Sequence, residues 1–176
     1  MKIVPIVFFV FGVLLLSCKQ QNTVNEKPLG SLEKVENGQK YLYATPEAWK
    51  NIEENFKGKG KFASVNFLKF KPMADYTGIE VSDKQIGKTG KEVYQHYIKL
   101  VKEIIEEYNY GRVIYFGESN SFFVGPEYEQ WDGFILVEYE SVEDFVNFIR
   151  SDEYAKIAPH RTASLDDTRL LPSTRF

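Results

Sequence analysis

The clearest periodic pattern in the chain lies at residues 91–108. Apolar side chains recur there at the 3.6-residue spacing of a helix, and charged or amide side chains take the opposite side. His96 falls off the centre of the apolar stripe, so we expect a solvent-side or flanking histidine rather than a ligand, because no second histidine or cysteine lies at a metal-binding spacing from it. The stripe is formed by Val93, Tyr94, Tyr97, Ile98, Val101, Ile104, Ile105 and Tyr108.

Shorter helices are predicted from the residues that start them. Thr45 is placed as an N-cap and Pro46 as the first helical residue. Ser141 with Asp144 resembles a capping box and begins a second apolar helical face. Pro159 has no N–H to donate, so we expect it to interrupt or restart the last helix.

Four apolar runs are predicted as strands: 63–70, 112–125, 131–140 and a short edge strand after Leu165. The resulting order is an additional N-terminal helix followed by β-α-β-β-α-β. This order predicts an α+β fold of the ferredoxin-like, split β-α-β type, with a four-stranded antiparallel sheet. The segment 71–90 is predicted to be a long loop. Loops of this length are uncommon in compact domains unless they cover another part of the protein or are mobile.

Helices on one side of such a sheet leave its other face uncovered. That face is predicted to be apolar, because the strand runs carry apolar residues on both faces. We therefore expect a homodimer joined sheet to sheet, as an isologous two-fold interface is the commonest arrangement.

The first residues predict export. An uncharged apolar run of secretory length follows Lys2, and Leu15-Leu16-Ser17-Cys18 resembles the lipobox of bacterial lipoprotein precursors. An ordinary signal peptide is the alternative, but it explains the position of Cys18 poorly. We divide the chain into a signal peptide at 1–17, a tether lipidated on Cys18 at 18–40, and a domain at 41–176. The predicted location is the bacterial cell envelope, at the outer membrane or the periplasmic face of a membrane.

Composition narrows the functional classes. The net charge is −3 and the basic residues are scattered, which argues against a nucleic-acid partner. A single cysteine excludes an intramolecular disulfide. The sequence lacks the motifs that would indicate a cofactor or a metal: a nucleophile motif, a phosphate-binding loop, a dinucleotide-binding glycine pattern and a local metal-binding His/Cys spacing. We therefore predict no cofactor and no metal.

Several motifs resemble a known family. They are T-P-E at 45–47, V-N-F-L-K-F at 65–70, A-D-Y at 74–76, T-G-K-E-V-Y-Q-H-Y at 89–97, F-V-G-P at 123–126, W-D-G-F-I-L-V-E-Y-E-S at 131–141, S-D-E-Y-A-K-I-A-P-H-R at 151–161 and D-D-T-R-L at 166–170. Together they resemble a bacterial domain-of-unknown-function family in the dimeric α/β-barrel superfamily, alongside antibiotic-biosynthesis monooxygenase-like and EthD-like proteins. The resemblance implies the fold and the dimer. It implies no particular activity.

The superfamily's ligand pockets lie between sheet and helices, so the resemblance suggests which residues could face one. Each also has a structural interpretation; Arg161, for example, could pair with Asp166 or Asp167 across a turn. The candidates are His160 and Asn66 as catalytic groups, and Tyr94, Tyr97, Trp131, Asp132 and Arg161 as ligand-binding groups.

Three functional hypotheses stand. The first is a membrane-tethered module that binds a small apolar or aromatic molecule in the cleft between sheet and helices. The second is a cofactor-independent oxygenase or isomerase-like enzyme that uses His160 and Asn66. The third is a purely structural dimeric platform.

Overall fold

A computed structural model describes residues 40–175. The elements are α1 (Pro46–Phe56), β1 (Phe62–Phe70), α2 (Gly90–Glu107), β2 (Gly111–Glu118), β3 (Gly133–Tyr139), α3 (Val142–Arg150), α4 (Asp152–Ser164) and β4 (Leu165–Thr174). The strands pair antiparallel in the order β2-β3-β1-β4. Two interleaved β-α-β units produce this order, so the fold is ferredoxin-like and the predicted fold class is confirmed.

Alternate residues of each strand face the helices. On β1, Phe62 and Leu68 are fully buried on this side, and Phe62 lies opposite Tyr139 of β3 in the antiparallel register. The wide apolar stripe of α2 packs over them, as its spacing predicts. This core fixes α2 and α4 side by side above one face of the sheet and leaves the other face uncovered by helices.

The helix starts agree with their sequence signals. The Thr45 side chain accepts a hydrogen bond from the Ala48 backbone N–H, and Ser141 accepts one from that of Asp144. Sequence reasoning missed the strongest cap: Thr89 and Glu92 form a complete reciprocal capping box at the start of α2.

The prediction that Pro159 interrupts the last helix is wrong. Helix α4 runs without a break from Asp152 to Ser164, with Ser151 as its N-cap and Pro159 inside it. Proline removes one intrahelical hydrogen bond, but Ile157, His160 and Ala163 on the same helix are buried. We attribute the continuity of the helix to this tertiary packing, which offsets the lost bond.

Arg161 does not form the ion pair with Asp166 or Asp167 that a structural role could give it, and both aspartates lie in β4 rather than in a turn. The Arg161 guanidinium donates from Nη1 to the Leu42 carbonyl oxygen at 2.7 Å, because it points back across the N-terminal segment. Asp166 pairs instead with Lys40, and Asp167 accepts from the Tyr41 backbone N–H. These bonds hold the segment before α1 against β4.

The predicted signal peptide, Cys18 and nearly all of the tether lie outside the described residues. Within residues 40–175, no helix has the length and hydrophobicity needed to cross a membrane. The division of the chain into 1–17, 18–40 and 41–176 stays a prediction.

Candidate functional site

A polar cluster lies where the loop between β1 and α2 crosses the helices. The ends of this loop are fixed by backbone bonds: Lys71 N donates to Ser164 O at 2.9 Å, and Gly90 N donates to Lys71 O at 3.1 Å. Further along, Asp75 N donates to Ala163 O at 2.9 Å. The loop is therefore attached to the end of α4 and to the start of α2, and it covers the place where the two helices meet.

Tyr76 secures the middle of the loop. Its ring is buried against Val93 of α2 and Ala163 of α4, in a small apolar cluster of its own. This contact brings the following turn, which carries Asp83, over the helix pair. Two histidines from the two helices face that turn: His96 from α2 and His160 from α4.

The distances show one connected group. His160 Nδ1 lies 2.7 Å from the Tyr76 hydroxyl oxygen, and His160 Nε2 lies 3.1 Å from Asp83 Oδ1. His96 Nε2 lies 3.6 Å from Asp83 Oδ2. The two imidazole rings meet edge to face, with centroids 5.1 Å apart. Asp83, His96, His160 and Tyr76 are called the histidine cluster below.

The hydrogen-bond partners define the tautomer of His160. The Asp83 carboxylate can only accept, so the His160 Nε2–H donates to it and Nδ1 carries a lone pair. The Tyr76 hydroxyl then donates to Nδ1. A neutral imidazole thus lies between a phenol and a carboxylate.

Burial and charge move the pKa values in the directions that this arrangement requires. Burial lowers the pKa of His160, the Asp83 carboxylate opposes that effect, and the neighbouring His96 adds to it, so the pKa ends below its usual value. Burial would raise the pKa of Asp83. Attraction to His160 and hydrogen bonds to the carboxylate outweigh that effect, so this pKa is lowered. At neutral pH the cluster therefore holds neutral His160 and ionised Asp83.

His96 has the flanking position that its place beside the apolar stripe predicts, with its side chain 31% exposed. Its Nε2 atom is buried and has no hydrogen-bond partner within residues 40–175, because the Asp83 oxygen at 3.6 Å is beyond hydrogen-bonding distance. A buried nitrogen without a partner is energetically unfavourable. It is the one buried side-chain nitrogen or oxygen in the described part of the chain with this property.

Sequence reasoning placed the site elsewhere. Asn66 lies on the helix side of β1, and its amide nitrogen is 3.3 Å from the Ser64 hydroxyl and 3.4 Å from the Ser64 carbonyl. No hydrogen bond within residues 40–175 joins Asn66 to His160, and their shared catalytic role stays a prediction.

The predicted ligand-binding residues divide between the two faces of the sheet. Tyr94 and Tyr97 are core residues, and burial raises the pKa of each phenol. Trp131 packs on Phe67, which points to the uncovered face. Asp132 accepts from the Phe70 backbone N–H at 2.8 Å and pairs with Lys69 at 2.9 Å, so it fixes a strand end. With Arg161 bonded to Leu42, these residues form no common cleft.

Comparison with known proteins supports the same fold. Residues 85–171 match a family model described as Domain of unknown function (DUF1330). The match begins just after Asp83 and includes both histidines of the cluster. The matched segment includes α2 and α4, while Tyr76 and Asp83 lie before it. No activity accompanies the match.

Two solved structures of one other protein show the same fold. The chain is similar to RPA0582, a protein of unknown function from Rhodopseudomonas palustris: identity is 27%, the TM-score is 0.65, and 78% of this chain and 98% of that chain are covered. The methylated form of RPA0582 matches with 27% identity, a TM-score of 0.64, and coverage of 78% and 96%. A dimeric ferredoxin-like protein of unknown function from Bacteroides fragilis matches with 12% identity, a TM-score of 0.38, and coverage of 67% and 97%. No curated protein matches the chain.

Proposed function

We propose that this protein is a lipid-anchored, homodimeric binding protein of the bacterial cell envelope, and that its ligand binds at the histidine cluster. The observation that carries the ligand site is the buried, unpartnered Nε2 atom of His96. A bound ligand would satisfy that atom. The Asp83 side chain is half exposed beside it and offers a path of entry from solvent.

This proposal moves the ligand away from the cleft expected from sequence. Tyr94 and Tyr97 already fill the space between sheet and helices with their rings, which pack on each other at 5.3 Å. The histidine cluster, by contrast, joins four polar side chains from three segments at one end of the helix pair. Polar groups that converge from separate segments are typical of binding sites.

The ligand can be sought in the protein as it is made. The processed full chain, extracted gently from its own membranes, is expected to release one small molecule or ion per chain on denaturation, measured by mass spectrometry and elemental analysis. His96→Gln should reduce the released amount to background. Tyr97→Phe, the matched control in the cleft expected from sequence, should leave it unchanged. Release that depends on Tyr97 and not on His96 would overturn the proposed site.

The anchor is supported by the lipobox-like sequence that ends at Cys18. Several acyl chains, at about 0.8 kcal/mol per buried CH₂, give stable anchoring without a spanning helix. The mature N-terminal peptide should therefore carry the mass of a lipidated Cys18, measured on protein from the membrane fraction. An unmodified Cys18 thiol in that fraction would contradict the anchor.

The homodimer is supported by the uncovered face of the sheet. Ile114 and Tyr115 of β2 and Leu171 of β4 are 44%, 51% and 58% exposed, although all three are large apolar side chains. Leu171 lies opposite Val65, on the face away from the helices. A second copy that applies the same face would remove these side chains from water, as an isologous interface requires.

Leu171→Glu should shift the protein from dimer to monomer, because a two-fold interface would bury the new charge twice. Sedimentation of the processed full chain, in a detergent matched to the solvent density, measures the change. Ile86→Glu is the control, since Ile86 is 74% exposed on the loop before α2. An unchanged dimer in Leu171→Glu would show that this face is not the interface.

A further inference from the structure

The donor atoms of the histidine cluster are those of a metal site. Asp83, His96 and His160 each offer one ligand atom, and these three atoms lie within 4.8 Å of one another. Two imidazole nitrogens and one carboxylate oxygen form a donor set that suits Zn²⁺ and other divalent first-row transition ions. We propose that the ligand of the histidine cluster is such an ion, an inference that rests on the site assigned under Proposed function.

The spacing of the donor atoms requires little movement. His160 Nε2 lies 3.1 Å from one Asp83 oxygen and His96 Nε2 lies 3.6 Å from the other, and the atoms of the donor set all lie within 4.8 Å of one another. Ligand atoms about 2.0–2.1 Å from a tetrahedral ion lie roughly 3.3–3.5 Å apart. The two helices hold the histidines, while Asp83 lies in a turn of the loop and is half exposed. A small shift of that turn toward His96 brings the set to coordination distance.

Tyr76 is placed to orient His160 toward the ion. Coordination uses the Nε2 lone pair, so the proton on Nε2 moves to Nδ1 and the imidazole stays neutral. Nδ1–H then donates to the Tyr76 oxygen at the existing separation of 2.7 Å. A ligating histidine almost always donates its other N–H to such a partner, which fixes the ring. Tyr76 is therefore a positioning residue, and it does not touch the ion.

Three protein ligands leave at least one coordination position for water or an exchangeable molecule. A structural zinc site is normally closed by four protein ligands, so this donor set indicates a site that exchanges ligands. The orphaned His96 nitrogen is an independent observation in favour of the ion, because a metal satisfies it without a hydrogen-bond donor.

The test is a titration with Co²⁺, whose visible absorption reports coordination. The processed full chain is purified without a histidine tag, freed of metal with a chelator, and titrated with Co²⁺; Zn²⁺ should then displace the signal. One ion per chain is expected. Asp83→Asn and His96→Gln should each weaken binding more than about 100-fold, and Tyr76→Phe about 10-fold with the Co²⁺ spectrum otherwise retained. The first two side chains are not buried, so these variants should fold even if His160→Gln does not.

Glu80→Gln is the matched control, an exposed carboxylate on the same loop outside the cluster, and it should bind Co²⁺ as the wild type does. Absence of Co²⁺ binding in the wild type, or binding that is unchanged in both Asp83→Asn and His96→Gln, would overturn the metal proposal. If an organic molecule is released from the native protein in a His96-dependent way while Co²⁺ does not bind, the ligand site stands and the metal fails. If nothing is released and nothing binds, both proposals fail.

Discussion

Gly90→Ala is expected to lower the free energy of unfolding by about 3 kcal/mol. A Cβ atom at this first residue of α2 would meet only backbone: Ser164 O, Lys71 O at 2.5 Å and Lys71 N at 2.8 Å. Backbone cannot rotate away as a side chain can, so the loop must separate from the helices or α2 must shift. Because the same contacts hold the loop over the histidine cluster, ligand binding should weaken together with stability.

Denaturant unfolding of the processed full chain, followed by tryptophan fluorescence, measures this loss. Lys91→Ala is the control, since it introduces the same residue at the next position and removes only an exposed pair with Glu118. That change should cost less than about 1 kcal/mol. Equal midpoints for Gly90→Ala and Lys91→Ala would show that the close approach of backbone at Gly90 does not stabilise the fold.

Phe62→Ala should lower the free energy of unfolding by about 4 kcal/mol. Phe62 is fully buried on β1, and its ring meets those of Phe56, Tyr139 and Phe145 at centroid distances of 5.4, 6.3 and 5.1 Å. It therefore connects α1, β3 and α3 through one side chain. Its removal leaves a cavity that these helices and strands cannot fill without moving.

Phe123→Ala is the matched control for this substitution, because it deletes the same atoms from a fully exposed position. Its effect on unfolding should stay within about 0.5 kcal/mol. If Phe62→Ala and Phe123→Ala lower the free energy of unfolding by similar amounts, the core is not centred on Phe62. If only Phe123→Ala lowers the free energy of unfolding, the Phe123 side chain would be assigned to the dimer interface.

The elements that follow a local rule could be predicted from sequence. The stripe of α2 needs only a 3.6-residue period, and Thr45 and Ser141 begin helices through bonds to residues three positions away. The strand order then follows from the sequence of elements, because split β-α-β units have few ways to close. Pro159 was misjudged because burial of α4 against α2, a long-range effect, decides whether the helix continues.

The histidine cluster could not be found by the same means. His96 and His160 are 64 positions apart on two helices, and Asp83 lies on a loop without a periodic pattern. The available signal was indirect: a long loop that begins and ends beside the two helices, and only two histidines in the chain. Candidate residues chosen because related folds use the same residue types in their pockets did not identify a common site. Trp131 and Tyr94, for example, lie on opposite faces of the sheet.

The most direct test of the proposed ligand site is a crystal structure of the processed protein after gentle extraction from its own membrane. We predict electron density for a bound ligand between His96, His160 and Asp83, with an atom within about 3.2 Å of His96 Nε2. If His96 Nε2 instead bonds to its own chain, and the space beside Asp83 holds only unbound solvent, the histidine cluster is not a ligand site.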